Sequence, residues 1–250
     1  MAKFGKWIGA GLGAFAGGPI GAIIGFVVGS AFDKGTGTSA HYNQQYQQSG
    51  TAYSRRPTTG GYAMSLLVLV AAVMKADGKT MKSELNYVRE FFVRNFGVDS
   101  ANEAIKLLHD LLQQNIPVTD VCNQIRRNMD HASRLQLMHF LFGIAQSDGQ
   151  IHESELKLIA HISVHLGISS TDYESIKSMF IKNTDSAYKI LEIQPDASDE
   201  DVKKAYRKMA LKYHPDKVSY LGEEFQTAAK EKFQKVQEAY NDIKKQRNIA

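Results

Sequence analysis

At 250 residues, with 43% hydrophobic and 22% charged side chains, the chain has the make-up of a folded protein with one or two cores rather than of a disordered one. The formal net charge of +4 resides in residues 1–60, where Lys3, Lys6, Lys34, Arg55 and Arg56 face Asp33 alone; the other 190 residues balance at 25 basic and 25 acidic, which argues against a DNA-binding domain. Cys122 is the only cysteine, so an internal disulfide and a Cys-rich zinc module are excluded, as fits a reducing compartment.

Residues 7–32 form a run of 26 without a charge. At about 1.5 Å per residue, a helix of that length covers more than the roughly 30 Å of a bilayer's hydrocarbon core. The run is too long for the apolar part of a secretory signal peptide, and a transmembrane helix is predicted. Gly5, Gly9, Gly13, Gly17, Gly21, Gly25 and Gly29 recur every four residues. On a helix they make one stripe along which a second helix can approach closely, so homodimer formation through this helix is expected as well as contact with lipid. Pro19 is expected to kink it. Residues 1–34 are therefore read as a glycine-zipper anchor. Residues 35–60, rich in Gly, Ser, Thr, Gln and Tyr and without helical or strand periodicity, are read as a flexible linker.

Residues 61–182 contain an internal repeat: MKADGKTMKSELNYVREFF (74–92) aligns with AQSDGQIHESELKLIAHIS (145–163), 71 residues on. Each copy follows an almost wholly apolar stretch, 63–74 and 135–145. Too short to span a bilayer, these stretches predict buried helices at the centre of an all-helical bundle. Amphipathic helices follow, carrying Leu85, Val88, Phe91 and Phe92 in the first copy and Leu156, Ile159, Ile162 and Leu166 in the second. Further helices are predicted over 100–114, 117–129 and 170–181. Gly78 and Gly149 each precede a Glu by six positions, as in the second half of an EF-hand loop. Val73, Lys75, Ile144 and Gln146 stand where the first half needs oxygen ligands, so that kind of calcium site is excluded. The remaining pairs, Asp77 with Glu84 and Asp148 with Glu155, either gather into an acidic patch for a divalent ion or serve as turn formers and helix N-terminal acids. Both readings stay open.

Further on, Ser198 is followed by Asp199, Glu200 and Asp201, an N-cap with acids behind it. Val202, Ala205, Tyr206, Met209 and Tyr213 then make one apolar stripe, and Lys203, Lys204, Arg207, Lys208 and Lys212 occupy the opposite face. Pro215 ends the helix, because it has no amide hydrogen and disfavours helical geometry in the residue before it. His214 and Asp216 are left at the tip of a turn beside the cationic face. A second helix over about 223–245, with Phe233, Val236, Ala239, Tyr240 and Ile243 on one side, is expected to close an antiparallel hairpin, with 186–191 lying across it. Residues 183–250 carry a net charge of only +1, so no nucleic-acid partner is expected.

The doubled [A/S]-D-G-x5-E pattern in a helical background resembles the TerB domain named after tellurite resistance, whose acidic residues are candidate metal sites. That resemblance implies Asp77, Glu84, Asp148 and Glu155 as candidates here. AYKILEI, SDEDVKKAYRKMALKYHPDK and KFQKVQEAY, in this order over about 66 residues, resemble a J domain. With an anchor over 1–34, a linker over 35–60, a TerB-like part over 61–182 and a J domain over 183–250, the chain resembles the bacterial membrane-anchored DnaJ-like co-chaperones of the DjlA type. The Gly/Phe-rich and Cys-rich segments that follow the J domain in ordinary DnaJ proteins are not in this sequence, so general substrate delivery is not expected of it.

The resemblance implies that His214, Pro215 and Asp216, with Lys203, Lys204, Arg207, Lys208 and Lys212, bind a DnaK-type ATP-dependent chaperone and speed its ATP hydrolysis. Asp216 would pair with a chaperone cation, His214 and Pro215 would shape the turn, and the lysines would steer the partner. No enzyme activity of its own is expected, since no nucleophile and base fall in one motif, and no cofactor beyond the divalent metal left open above. The implied location is the bacterial inner membrane, crossed once, with the C-terminal domains cytoplasmic like the partner and its ATP. Lys3 and Lys6 against Lys34 would by the positive-inside rule favour the reverse orientation. The alternative function is a metal- or stress-sensing module of the tellurite-resistance type, with the J domain as its output.

Overall fold

The computed structural model describes residues 18–33, 59–76, 78, 82–221 and 223–248, and these form an all-α protein. Of the linker expected over 35–60, residues 35–58 lie outside the described residues, as do Asp77 and the glycines Gly5, Gly9, Gly13 and Gly17, whereas Thr59 and Gly60 are helical rather than linker. Helix α1 is Pro19–Asp33, α2 is Thr59–Met74, α3 is Lys82–Leu112, α4 is Val118–Asn128, α5 is His131–Ala145, α6 is Glu153–His165 and α7 is Ser170–Phe180. A short α8 (Ser186–Ile190), α9 (Asp199–Lys212), a 3-10 segment (Pro215–Leu221) and α10 (Glu223–Arg247) complete the described chain.

The two apolar stretches become the middle of the bundle. Every residue of α2 from Gly60 to Met74 is buried, as is nearly all of α5, because a helix that is hydrophobic all round can only sit where other helices cover it. Helices α3, α4, α5 and α6 pack around α2. Rings fill the space between them: Phe142 of α5 stacks on Phe180 at 5.7 Å and 15°, and Phe91 meets Phe140 edge-on at 4.3 Å. Asp130 caps α5 by accepting from Ser133 N at 2.9 Å, and Ser169 caps α7 by accepting from Asp172 N at 3.1 Å. The long α3 breaks at Gly97, whose φ of 81° and ψ of 168° divide it into two helical halves, the second matching the helix predicted over 100–114.

The internal repeat has a structural counterpart. Gly78 and Gly149, equivalent in the two copies, both take left-handed backbone, at φ 76° and 95°, where a side chain would be strained. The same tight turn therefore ends each buried helix and starts each amphipathic one.

Helix α1 begins at Pro19, a position where the missing N–H removes no helical hydrogen bond. It is 15 residues long, and no helix among the described residues is long and apolar enough to cross a membrane. Its described part packs on α3 and α4, with Ile20, Ile24 and Val27 buried and Ile20 N donating to Gln124 Oε1 at 3.0 Å. Gly21, Gly25 and Gly29 fall within it, and a Cβ added at Gly25 would meet nothing within 4 Å.

Helices α9 and α10 pack as the expected antiparallel hairpin, with Tyr206 and Tyr240 stacked at 4.3 Å and α8 lying against α10. Between them lies the 3-10 segment, which buries Val218 and Leu221. That segment and α10 lean on α2, α3 and α5, so the hairpin and the bundle share a packed seam.

Candidate functional site

The site is built on the end of α9. Ser198 accepts from Asp201 N at 3.2 Å, three acids follow in the first turn, and Lys212 stands in the last; each is the charge the local helix dipole favours. The periodic stripe Val202, Ala205, Met209 and Tyr213 is buried, which leaves Lys203, Lys204, Arg207 and Lys208 exposed on the other face beside an exposed Leu211.

At Tyr213 the helix ends, and Pro215 restarts the chain as the 3-10 segment. The turn is held by three hydrogen bonds: Asp216 N donates to His214 Nδ1 at 3.3 Å, Lys217 N to His214 O at 2.9 Å, and Ser219 Oγ to Asp216 O at 2.9 Å. An Nδ1 that accepts from the backbone leaves the proton of a neutral ring on Nε2. The ring also sits edge-on to Phe233 of α10 at 6.0 Å. Asp216 is left 81% exposed at the tip, a carboxylate set out in water at the end of a row of cations. Such an arrangement sets a fixed pattern of charge at the surface.

Lys212 stands apart from the other four cations. Its Nζ pairs with Glu192 and with Asp172, a bundle residue on α7, and Lys208 reaches the same Glu192 at 3.3 Å. Burial alone would raise the Asp172 carboxyl, but hydrogen bonds from His131, Lys212 and Ser169 outweigh it and hold that carboxyl well below the usual carboxylate range. Arg247 closes the far end of the hairpin, donating to Tyr188 Oη, Ala197 O, Pro195 O and Asp199 Oδ1 at 2.5 to 3.1 Å.

Lys232, which the sequence reading passed over, is 3% exposed under the turn, with its Nζ 4.8 Å from the centre of the Tyr213 ring. Burial pushes its ammonium down to about 7, with Lys212 adding to the effect and Asp172 opposing it. An unfolded lysine titrates near 10.4, so between about pH 7 and 10 the unfolded chain holds more protons and stability rises with pH. Lys232→Met keeps the stem and removes the ammonium. It is expected to raise the thermal midpoint at pH 7 and to flatten the dependence between pH 7 and 10, measured by thermal melts across that range; a lower midpoint at pH 7 would contradict this.

Three of the four acids of the repeat, Glu84, Asp148 and Glu155, lie among the described residues. Glu84 and Glu155 are buried in the first turns of α3 and α6, where Glu155 Oε2 accepts from His152 N at 2.9 Å. Asp148 Oδ1 accepts from Gln150 N at 3.0 Å in the turn before α6. Among the described residues no three His, Cys, Asp or Glu side chains gather to hold a metal ion. Cys122 is buried, its thiol pushed up to about 12, which removes it as a nucleophile at neutral pH.

Three family models match in the order the site requires: the co-chaperone DjlA transmembrane domain over 1–41, the tellurite resistance protein TerB over 63–178, and the DnaJ domain over 186–249. A co-chaperone protein DjlA of Vibrio parahaemolyticus serotype O3:K6 is 30% identical, with 98% of each chain aligned. The chain belongs to the DjlA co-chaperone family. DjlA co-chaperones of Vibrio cholerae serotype O1 (29% identical, the whole of each chain) and Coxiella burnetii (27% identical, 71% of this chain and 74% of the relative) are also similar. No solved structure matches this chain. In this DjlA-family chain the turn at His214, Pro215 and Asp216 falls inside the DnaJ-domain match, whereas Asp172 falls inside the TerB match, so the Lys212 to Asp172 pair joins one domain to the other.

Proposed function

We propose that this J-domain co-chaperone stimulates the ATPase of a DnaK-type chaperone through the turn at His214, Pro215 and Asp216 and through the cationic face of Lys203, Lys204, Arg207 and Lys208, with Lys212 joining when it leaves Asp172. The observation that carries the reading is the exposed Asp216 carboxylate at the end of that face, on a backbone fixed by the turn's hydrogen bonds and 3.5 Å from His214 Nδ1. The cations steer an acidic partner surface into range, and the carboxylate sets the register on a partner cation. The test is steady-state ATP hydrolysis by a DnaK-type chaperone with the full chain in lipid vesicles. Stimulation that saturates with the chain supports the reading, and a rate equal to that of the chaperone alone overturns it.

The working division is an anchor over 1–34, a tether over 35–60, a TerB-like domain over 61–182 and a J domain over 183–250. The anchor crosses the bacterial inner membrane once, which requires α1 to leave the faces of α3 and α4 on which Ile20, Ile24 and Val27 are buried here, and leaves the two folded domains in the cytoplasm, where the partner and its ATP are. Its glycine stripe pairs two copies. Replacing Gly13, Gly17 and Gly21 by Leu keeps the segment apolar but forces a partner helix outward. Crosslinked dimer in membranes is then expected to fall while the membrane-bound fraction stays constant, and an unchanged dimer yield would remove the stripe as an interface.

A further inference from the structure

The seam between the TerB and J domains covers one flank of the turn and leaves the other open. On the open flank lie Lys203, Lys204, Arg207, Lys208 and Asp216. On the covered flank, the inner side of the turn and α10 face the start of α5: Leu135 and Gln136 of the TerB domain line one small cavity of about 10 Å³ with Tyr213, His214, Ala229 and Lys232 of the J domain. Ala229 and Lys232 are each 3% exposed there. A partner that gripped the turn from both flanks would meet the TerB domain in its way.

The seam combines apolar packing, with Val218 and Leu221 buried in it, and a set of polar contacts between the two domains. Tyr220 Oη donates to Asp130 Oδ2 at 2.6 Å and lies 2.5 Å from Ser133 Oγ, Ser175 Oγ donates to Ile190 O at 2.9 Å, and Asp172 takes Lys212. Two of these latches use a carboxylate of the TerB domain on a group of the J domain, and one of them occupies a cation of the face that recruits the partner. The seam also encloses groups that gain from being wetted. Among the described residues no carboxylate lies within salt-bridge distance of the buried Lys232, and no residue donates a hydrogen bond to the buried Gln136 Oε1. These polar contacts and unsatisfied groups are the part of the seam whose loss on opening is offset by water.

We propose that the TerB domain is an internal competitor of the chaperone: it holds the J domain in a closed arrangement through Asp130 and Asp172, and the chaperone engages the whole turn only when this seam opens. The inference rests on the co-chaperone reading given above. It assigns the TerB domain a task in that activity, setting the fraction of J domains able to recruit, since a site populated only in part binds its partner with affinity reduced by that fraction.

Two full-length variants in lipid vesicles test it. Asp130→Asn with Asp172→Asn keeps both side-chain shapes and leaves every residue of the turn and the cationic face untouched. The concentration giving half-maximal stimulation of the chaperone's ATPase is expected to fall about fivefold or more, with faster amide exchange in α10 as the sign of opening. Gln136→Cys with Ala229→Cys places two thiols on opposite walls of the cavity. The oxidised form is expected to lose stimulation and to regain it with reductant. Equal half-maximal concentrations for the Asn variant and the wild type, when exchange shows the seam open, overturn the proposal. So does full stimulation by the oxidised Cys variant, or failure of the two thiols to join, which would mean that the domains are not held together. Absence of stimulation by every form, wild type included, strikes instead at the co-chaperone reading.

Discussion

A chain carrying His214→Gln is expected to fold normally and to leave the chaperone's ATP hydrolysis at its unassisted rate. The ring is 48% exposed and belongs to no core, so its replacement falls among surface changes worth about 0.5 kcal/mol or less, and the thermal midpoint should hardly move. What it does is local. Its Nδ1 accepts from Asp216 N, and its edge rests on Phe233, so the ring joins the tip of the turn to α10. A glutamine can offer an oxygen to the same amide, but on a flexible chain with no plane to set against Phe233. The Asp216 carboxylate then no longer has one direction, and a charge pair across an interface depends on direction as much as on distance. Comparing melting curves and ATPase rates of variant and wild type measures both halves of this expectation. Wild-type stimulation by the variant would defeat the role given to the turn.

The largest loss of stability is expected from Phe142→Ala. This ring is fully buried in α5, stacked on Phe180 and 5.7 Å from Tyr173, and the bundle closes around it from both sides. Truncation removes the transfer energy of the ring and leaves a cavity that rigid neighbours fill only in part, at about 3–5 kcal/mol. Against a total of about 5–15 kcal/mol, the variant should unfold at a much lower denaturant concentration with a similar slope. A shift equivalent to less than about 1 kcal/mol would show that the site collapses and that the core is looser than its packing implies.

What could be read beforehand was what depends on short spacing. The two apolar stretches announced α2 and α5 because no amphipathic alternative exists for them, and the repeat announced two equivalent turns, which Gly78 and Gly149 make with the same left-handed backbone. The end of α9 was legible from Pro215 and the cationic face from its period. The seam was not. Asp172 meets Lys212 across 40 positions and Asp130 meets Tyr220 across 90, and no local pattern joins residues so far apart. Lys232 did carry a signal, since it falls on the buried stripe of α10 with Ala229, Val236, Ala239 and Ile243, where a lysine is out of place. The acid pairs of the repeat were ambiguous by nature, because an acid suited to a metal is equally suited to a turn or to a helix N-terminus.

The Arg247 clasp bears on the order in which a newly made chain acquires its parts. The four groups it binds run from Tyr188 in α8 through Pro195 and Ala197 to Asp199 at the start of α9, yet the arginine itself is translated about 67 residues after the last residue of α7. At about 5–20 residues per second, that interval lasts roughly 3–13 s, and domains fold as units as they emerge. The TerB domain can therefore be complete, with Asp130 and Asp172 in place, while the recruiting hairpin is still open at one end. A nascent copy then has the carboxylates of the seam in place before the hairpin they hold is closed.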